Sequence, residues 1–284
     1  MSKIKVITES ASDIRPQDAK EWDIEVLPFT IRAGGKEYLS GVDLQPKEFY
    51  ELLRNSEELP QTSQIPPNVI YDAFKKYTDE GYEILYVSIS SSATGTYNNA
   101  TLAKSMVLEE NPDAVIELVD TRRFAYIYAL AAIEAAKLAK EGKSMDELKK
   151  FVMDFVESYD VYVVAKTLTY LEKGGRINKA SLVMGNVLDI RPLLSVRNGL
   201  MESIGSIRGS KKIVAKLFKK VQESGYDQTG KRMLIVHADM YDEAEEIKKM
   251  IEENMSPSEV LIREVGPTIA THIGPVLGVF FAIK

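Results

Sequence analysis

A chain of 284 residues has room for one large domain or two of ordinary size. Its 45% hydrophobic and 27% charged residues support a true core, and 36 basic against 42 acidic side chains argue against a general nucleic-acid binder. With no cysteine, a disulfide scaffold, a thiolate zinc site and thiol catalysis are all excluded.

Ile4 to Thr8 reads as an opening strand and not as a signal peptide, because no long apolar stretch follows it. Pro16 to Trp22 is a short helix with proline in its first turn. Ile24 to Leu27 and Phe29 to Ala33 are extended, and Gly34-Gly35 turns the chain into Lys36 to Leu39. Helices follow at Pro46 to Leu53 and Asn68 to Tyr77, then the buried strand Ile84 to Ile89 and a helix after Tyr97. Ala114 to Val119 is a strand, and Phe124 to Lys140 is a helix apolar nearly all round, which predicts deep burial. This alternation implies parallel strands covered by helices. The longest apolar runs, around Phe124 to Ile133 and Val276 to Ile283, are too short to span a bilayer, so the expected location is cytoplasmic.

The pattern changes near residue 160. Val161 to Ala165 is a strand, and turns such as Arg197-Asn198-Gly199 join later ones. Helices at Lys211 to Glu223 and Asp242 to Glu253 flank the strand Arg232 to His237, and Glu259 to Glu264 and Leu277 to Ile283 are the last strands. That order suggests a second, α+β domain with much antiparallel pairing.

Ser90-Ser91-Ser92-Ala93-Thr94-Gly95-Thr96-Tyr97-Asn98-Asn99 lies between a strand's carboxyl end and a helix N-terminus. Open α/β sheets bind ligands at that edge, and unpaired helix N–H groups there favour an anion. The loop carries no lysine, arginine or aspartate, which suits a hydroxyl-lined pocket for one small charge. Thr62-Ser63-Gln64-Ile65-Pro66-Pro67 leads into a helix. Its hydroxyls either cap that helix or face the Ser90–Thr96 loop.

The two histidines differ in setting. His237 ends a strand and reads as a packed or rim residue. His272 stands between Gly266-Pro267 and Gly274-Pro275, which place it between two rigid turns, and a partly charged imidazole suits carboxylate recognition or proton shuttling. Lys173-Gly174-Gly175-Arg176-Ile177 reads as a helix C-cap with glycine in the left-handed position. Arg208-Gly209-Ser210-Lys211-Lys212 is either a solvated helix start or, since basic residues there oppose the dipole, a seat for a phosphate or an acidic partner. Gly225 to Arg232 imitates a phosphate loop but lacks the final Ser/Thr and precedes a strand; no G-x-S-x-G or H-E-x-x-H occurs. No spacing marks a metal site, and no carboxylate pair stands out for acid/base work.

Together these segments resemble the DegV family of bacterial fatty-acid-binding proteins. The match runs along the whole chain through Glu9-Ser10-Ala11-Ser12-Asp13, Thr62-Ser63-Gln64, Ser91 to Tyr97, Gly174 to Ile177 and the Gly-Pro/Thr-His/Gly-Pro segment. The resemblance implies a two-domain fold: residues 1–158 a three-layer α/β/α domain with a mainly parallel sheet, and residues 159–284 an α+β domain with a mixed, largely antiparallel sheet. It implies one long-chain fatty acid, such as palmitate or stearate, enclosed between the domains. The acyl carboxylate is expected on Thr62, Thr94 and His272, with Ser63, Ser91, Gly95 and Thr271 in support. Family members present the acid to a separate fatty-acid kinase for acyl-phosphate formation in phospholipid synthesis, and Arg176 and Arg208 are expected on that partner or phosphate side. Such a carrier needs no catalytic residue, metal or cofactor. Thr94 stands where the family has serine and Ala270 where it has glycine before Thr-His, and after Gly274-Pro275 the segment is one residue shorter, with Val276 where a glycine is usual. The alternative is a serine acyl hydrolase using Ser90, Ser91 or Ser92 with His272.

Overall fold

The structure, a computed structural model, describes residues 3–55, 58–177, 190–209 and 212–284. The chain divides into two compact units, Met1–Val156 and Glu157–Lys284. Each has its own sheet.

The first unit opens with β1 (Lys3–Glu9), α1 (Pro16–Glu21), β2 (Glu25–Leu27), β3 (Thr30–Ala33), β4 (Lys36–Leu39) and α2 (Pro46–Asn55). It continues with β5 (Gln61–Ser63), α3 (Pro67–Asp79), β6 (Tyr82–Ser88), α4 (Thr96–Glu110), β7 (Ile116–Asp120), α5 (Tyr126–Lys140) and α6 (Met145–Glu157). The main sheet has the order β2-β1-β6-β7, and every pairing in it is parallel. Parallel pairs require crossovers, and α3 and α4 pack together against β6 and β7 while α5 lies on β1. β6 is apolar without interruption from Ile84 to Val87 because a central parallel strand is covered on both faces. α5 is buried from Tyr126 through Ile133, as its all-round apolar composition requires.

Two elements of this unit go beyond the sequence expectation. α6 starts with a capping box: the Ser144 N–H donates to Glu147 at 2.9 Å, and the Glu147 N–H donates to the Ser144 hydroxyl at 3.4 Å. Its apolar stripe Met145, Leu148, Val152 and Val156 is buried. β5 pairs with β3, setting Thr62 opposite Ile31, in a small antiparallel sheet β4-β3-β5. This corrects the capping role considered for Thr62 and Ser63. Pro66 is the N-cap of α3, no side chain caps it, and Pro67 in its first turn has no N–H to satisfy.

The second unit comprises β8 (Tyr159–Ala165), α7 (Thr169–Gly174), β9 (Ile190–Arg197), β10 (Leu200–Arg208), α8 (Ile213–Glu223), β11 (Arg232–Ala238), α9 (Tyr241–Met255), β12 (Glu259–Glu264), α10 (Pro267–Ile273) and β13 (Val276–Ala282). Its sheet has the order β10-β9-β8-β13-β11-β12, antiparallel throughout except for the parallel pair β11 and β12. The β9–β10 turn has Asn198 at φ 51 and Gly199 at φ 77, the pair of positive values that a tight hairpin needs. Gly175, at φ 68, is the left-handed C-cap of α7. Leu217, Phe218, Met233, Ile247 and Phe281 centre the core.

His272 lies on the short helix α10, between Gly266 and Gly274. One local expectation is corrected here. Arg208 ends β10, whereas α8 begins only at Ile213. Ser210 and Lys211, where that helix was expected to start, lie outside the described residues. Among the described residues no helix is long and apolar enough to cross a membrane, and no group of His, Asp and Glu side chains could hold a metal ion.

Candidate functional site

The carboxyl ends of β1, β6 and β7 are neighbours, with Ile7 opposite Tyr86 and Ser88 opposite Asp120. From this edge residues 89–95 lead into α4. The Ser90 N–H donates to the Arg123 carbonyl at 3.1 Å, the Ala93 N–H to the Ser90 carbonyl at 3.1 Å, and the Ser92 N–H to the Ser90 hydroxyl at 3.3 Å. Ser91 turns to Asp120, donating its hydroxyl at 2.5 Å and its N–H at 3.0 Å. The parallel register accounts for this: Asp120 closes β7 beside the residue that closes β6. The loop has no acidic residue of its own, but it receives one from the adjacent strand. That corrects the picture of a pocket lined by hydroxyls alone.

The two hydroxyl-bearing segments of this unit meet. The Ile65 N–H donates to Thr96 Oγ1 at 3.4 Å, and the Asn99 side-chain amide donates to the Ile65 carbonyl at 2.8 Å. A Cβ on Gly95 would stand 2.1 Å from Gln64 Oε1, so the Gln64 side chain lies directly against this glycine. Thr62 is half-buried on β5, and Ser63 beside it is exposed. Thr94 Oγ1 accepts the Thr96 N–H at 3.3 Å and lies 3.0 Å from Thr96 Oγ1. A hydroxyl has one donor hydrogen and two acceptor lone pairs. When Thr96 donates to Thr94, both lone pairs of Thr94 are engaged, and its own hydrogen is left to point at a ligand.

In the second unit α10 carries Thr271 and His272. The buried Thr271 hydroxyl donates to the Pro267 carbonyl at 2.8 Å, within its own helix. The His272 ring packs on the end of α7, where a Cβ on Gly174 would come within 2.8 Å of Nδ1. Burial, and then the charge of Arg176, pull the imidazole down from 6.5 to about 4. It is therefore neutral at neutral pH, which corrects the partly charged state expected of it, and it offers one N–H donor. Arg176 is half-buried, and its guanidinium donates to the Gly174 carbonyl. A cation thus stands beside His272. Gly274, at φ 64, is required outright: a Cβ would lie 2.4 Å from the Tyr170 ring. Arg208 is exposed, and its carbonyl accepts the Lys216 ammonium. His237 is 4% exposed and packs edge-on against Tyr241, as a packed histidine should.

Asp120 escaped the sequence reading, and Gln64, Thr96 and Asn99 were read there only as members of their motifs, with no role of their own. Asn99 in the first turn of an otherwise ordinary helix was the one available signal. The whole-chain comparison then decides the family, since the model described as "Uncharacterised protein, DegV family" matches residues 3–284. The chain belongs to the DegV family. Two DegV domain-containing proteins of Clostridium perfringens are similar to it. One is 33% identical, covering 99% of this chain and 98% of the relative; the other is 32% identical, covering 95% of each. A fatty acid binding DegV family protein from Streptococcus agalactiae has a similar structure, with TM-score 0.87 and 26% identity over 100% of both chains. DegV from Bacillus subtilis, a fatty acid binding protein, also has TM-score 0.87, with 25% identity over 100% of both chains.

Proposed function

We propose that this DegV protein is a cytoplasmic carrier that binds one long-chain fatty acid, such as palmitate or stearate. Thr62 and Thr94 supply hydroxyls to the acyl carboxylate, His272 supplies its single N–H, and Ser63, Ser91, Gly95 and Thr271 shape their surroundings. The observation that carries this reading is the stitching of the Thr62–Ile65 segment to the Thr94–Asn99 segment, which gathers the hydroxyls of both at one edge of the sheet. Fatty-acid binding by the relatives from Streptococcus agalactiae and Bacillus subtilis supports it. Each buried methylene contributes about 0.8 kcal/mol, so a palmitate tail gains roughly 10 kcal/mol before the costs of association. The tail supplies affinity and the hydroxyls supply orientation.

The hydrolase alternative has less support. Ser91 donates its hydroxyl to Asp120 and the Ser90 hydroxyl accepts the Ser92 N–H, so both are engaged within the loop and its strand edge. Native mass spectrometry of the protein purified from bacterial cells, followed by calorimetric titration of delipidated protein with palmitate, tests the carrier. One fatty-acid mass per chain is expected; delipidated protein that takes up no palmitate overturns the reading.

The further step is presentation of the bound acid to a separate kinase. There a carboxylate oxygen attacks the γ-phosphorus of ATP, giving an acyl phosphate and releasing ADP. The exposed Arg208 and the half-buried Arg176 are the cations proposed to serve that partner or its phosphate. Arg208→Ala is expected to leave palmitate affinity near the parent's and to slow acyl-phosphate formation in a reconstituted assay. Equal loss of both would move Arg208 into the ligand site.

A further inference from the structure

Beneath the hydroxyl loop one acidic residue has no part in the reading above. Glu9 ends β1 with 0% exposure. Its Oε1 accepts the Tyr86 hydroxyl at 2.7 Å and the Ser88 hydroxyl at 2.8 Å. Its Oε2 accepts the Ile89 N–H at 2.9 Å and the Tyr128 hydroxyl at 3.4 Å. Burial pushes its pKa up, and these donors oppose the shift. A carboxyl placed in a core of this kind is costly, and apolar residues of the same volume often serve stability as well or better.

What the carboxyl holds is the main chain of Ile89, the first residue after β6. Ser90 follows directly, and its N–H, carbonyl and hydroxyl each anchor part of the loop. A shift of Ile89 is therefore passed on to every later residue as far as Thr94. We infer that Glu9 is the positioning residue of the hydroxyl loop, fixing Ile89 and thereby the place of Ser90–Thr96 before any ligand arrives. Its effect on affinity rests on the fatty-acid reading, because preorganised donors spare the ligand the cost of ordering them.

Reach and charge can be separated. Glu9→Asp keeps the carboxylate but, one methylene shorter, cannot bridge Tyr86 on one oxygen and Ile89 on the other. Glu9→Gln keeps the reach: its carbonyl accepts the Ile89 N–H, and its amide donates to the Ser88 and Tyr86 hydroxyls, which rotate to accept. Amide hydrogen exchange of the ligand-free protein reads the positioning directly. For Glu9→Asp we expect exchange over residues 89–95 to rise about tenfold, with palmitate bound about tenfold more weakly. Peptides from α3 and α4 should keep parental rates, and Glu9→Gln should restore both readouts. Parental exchange in Glu9→Asp overturns the inference. So does a Glu9→Gln variant as impaired as Glu9→Asp, because charge would then be what matters. Uniform loosening of the first unit overturns it too, since Glu9 would then be a residue of the fold. The exchange arm needs no ligand, so failure of the parent protein to bind palmitate would sink the fatty-acid reading while exchange still decides the role of Glu9.

Discussion

Thr94→Val bears most directly on the carboxylate site, because valine keeps the shape of threonine and deletes only the hydroxyl. In the ligand-free protein Thr94 Oγ1 accepts the Thr96 N–H at 3.3 Å and pairs with Thr96 Oγ1 at 3.0 Å. Removing it leaves a first-turn N–H of α4 without that acceptor, a loss of about 1 kcal/mol. For a protein of this size that corresponds to a fall in Tm of about 2–4 °C. In the complex the lost group is a donor to a charged oxygen, worth about 1.5–3 kcal/mol, or about ten- to a hundredfold in Kd. The binding loss should therefore exceed the stability loss, and it is measured on protein that is still folded. Thermal melts of the ligand-free variant and calorimetric titration with palmitate give the two numbers separately, and Thr94→Ser should recover both. If Thr94→Val melts lower yet binds palmitate as tightly as the parent, the hydroxyl serves only the start of α4. The carboxylate assignment would then be wrong.

His272 has a folded pKa of about 4 against an ordinary 6.5, so its stabilising contribution is complete above pH 6.5. As pH falls from 6.5 towards 4 the unfolded chain takes up the proton first, and about 3 kcal/mol is lost. Urea unfolding of the parent and His272→Gln at matched pH should show this loss in the parent alone. A bound carboxylate favours the imidazolium, so palmitate should raise the His272 pKa followed by NMR; an unchanged titration would separate His272 from the ligand. Gly174→Ala places a methyl 2.8 Å from His272 Nδ1, so the His272 NMR signals should move and palmitate affinity should fall while far-UV circular dichroism stays the same. Ala125 sits at φ 58, ψ −158, a conformation populated almost only by glycine. Ala125→Gly should accordingly stabilise by about 1 kcal/mol in urea titration, and a lower unfolding midpoint would contradict stored strain there.

The family motifs were legible residue by residue, but their partners were not. Thr94 and His272 could be singled out from hydroxyls and glycines at a strand end and from glycine-proline punctuation. Neither the Asp120 that engages Ser91 nor the Arg176 that lowers His272 follows from neighbouring letters. α6 was missed although Ser144-Met145-Asp146-Glu147 spells a capping box ahead of an apolar stripe, a signal that lay in plain sight. β5 was missed for a different reason. Three residues carry no period, and only pairing with β3 makes them a strand.

Short-range chemistry, then, was enough for the alternation of elements, the buried α5, the left-handed Gly175 and the Asn198-Gly199 turn. In each of these the deciding interactions lie within a few residues of one another. The state of each site residue was decided elsewhere in the chain. Glu9 draws its donors from positions 77, 79, 80 and 119 residues away. Asp120 reaches Ser91 across 29 residues through the parallel register of β6 and β7. Hydrogen-bond partners and desolvation depend on what packing brings within a few ångströms, and sequence spacing does not encode that distance. Hence the residue types at the site could be read from the chain, while their protonation, their spent and unspent hydrogens and the anchoring of the loop belong to the tertiary structure.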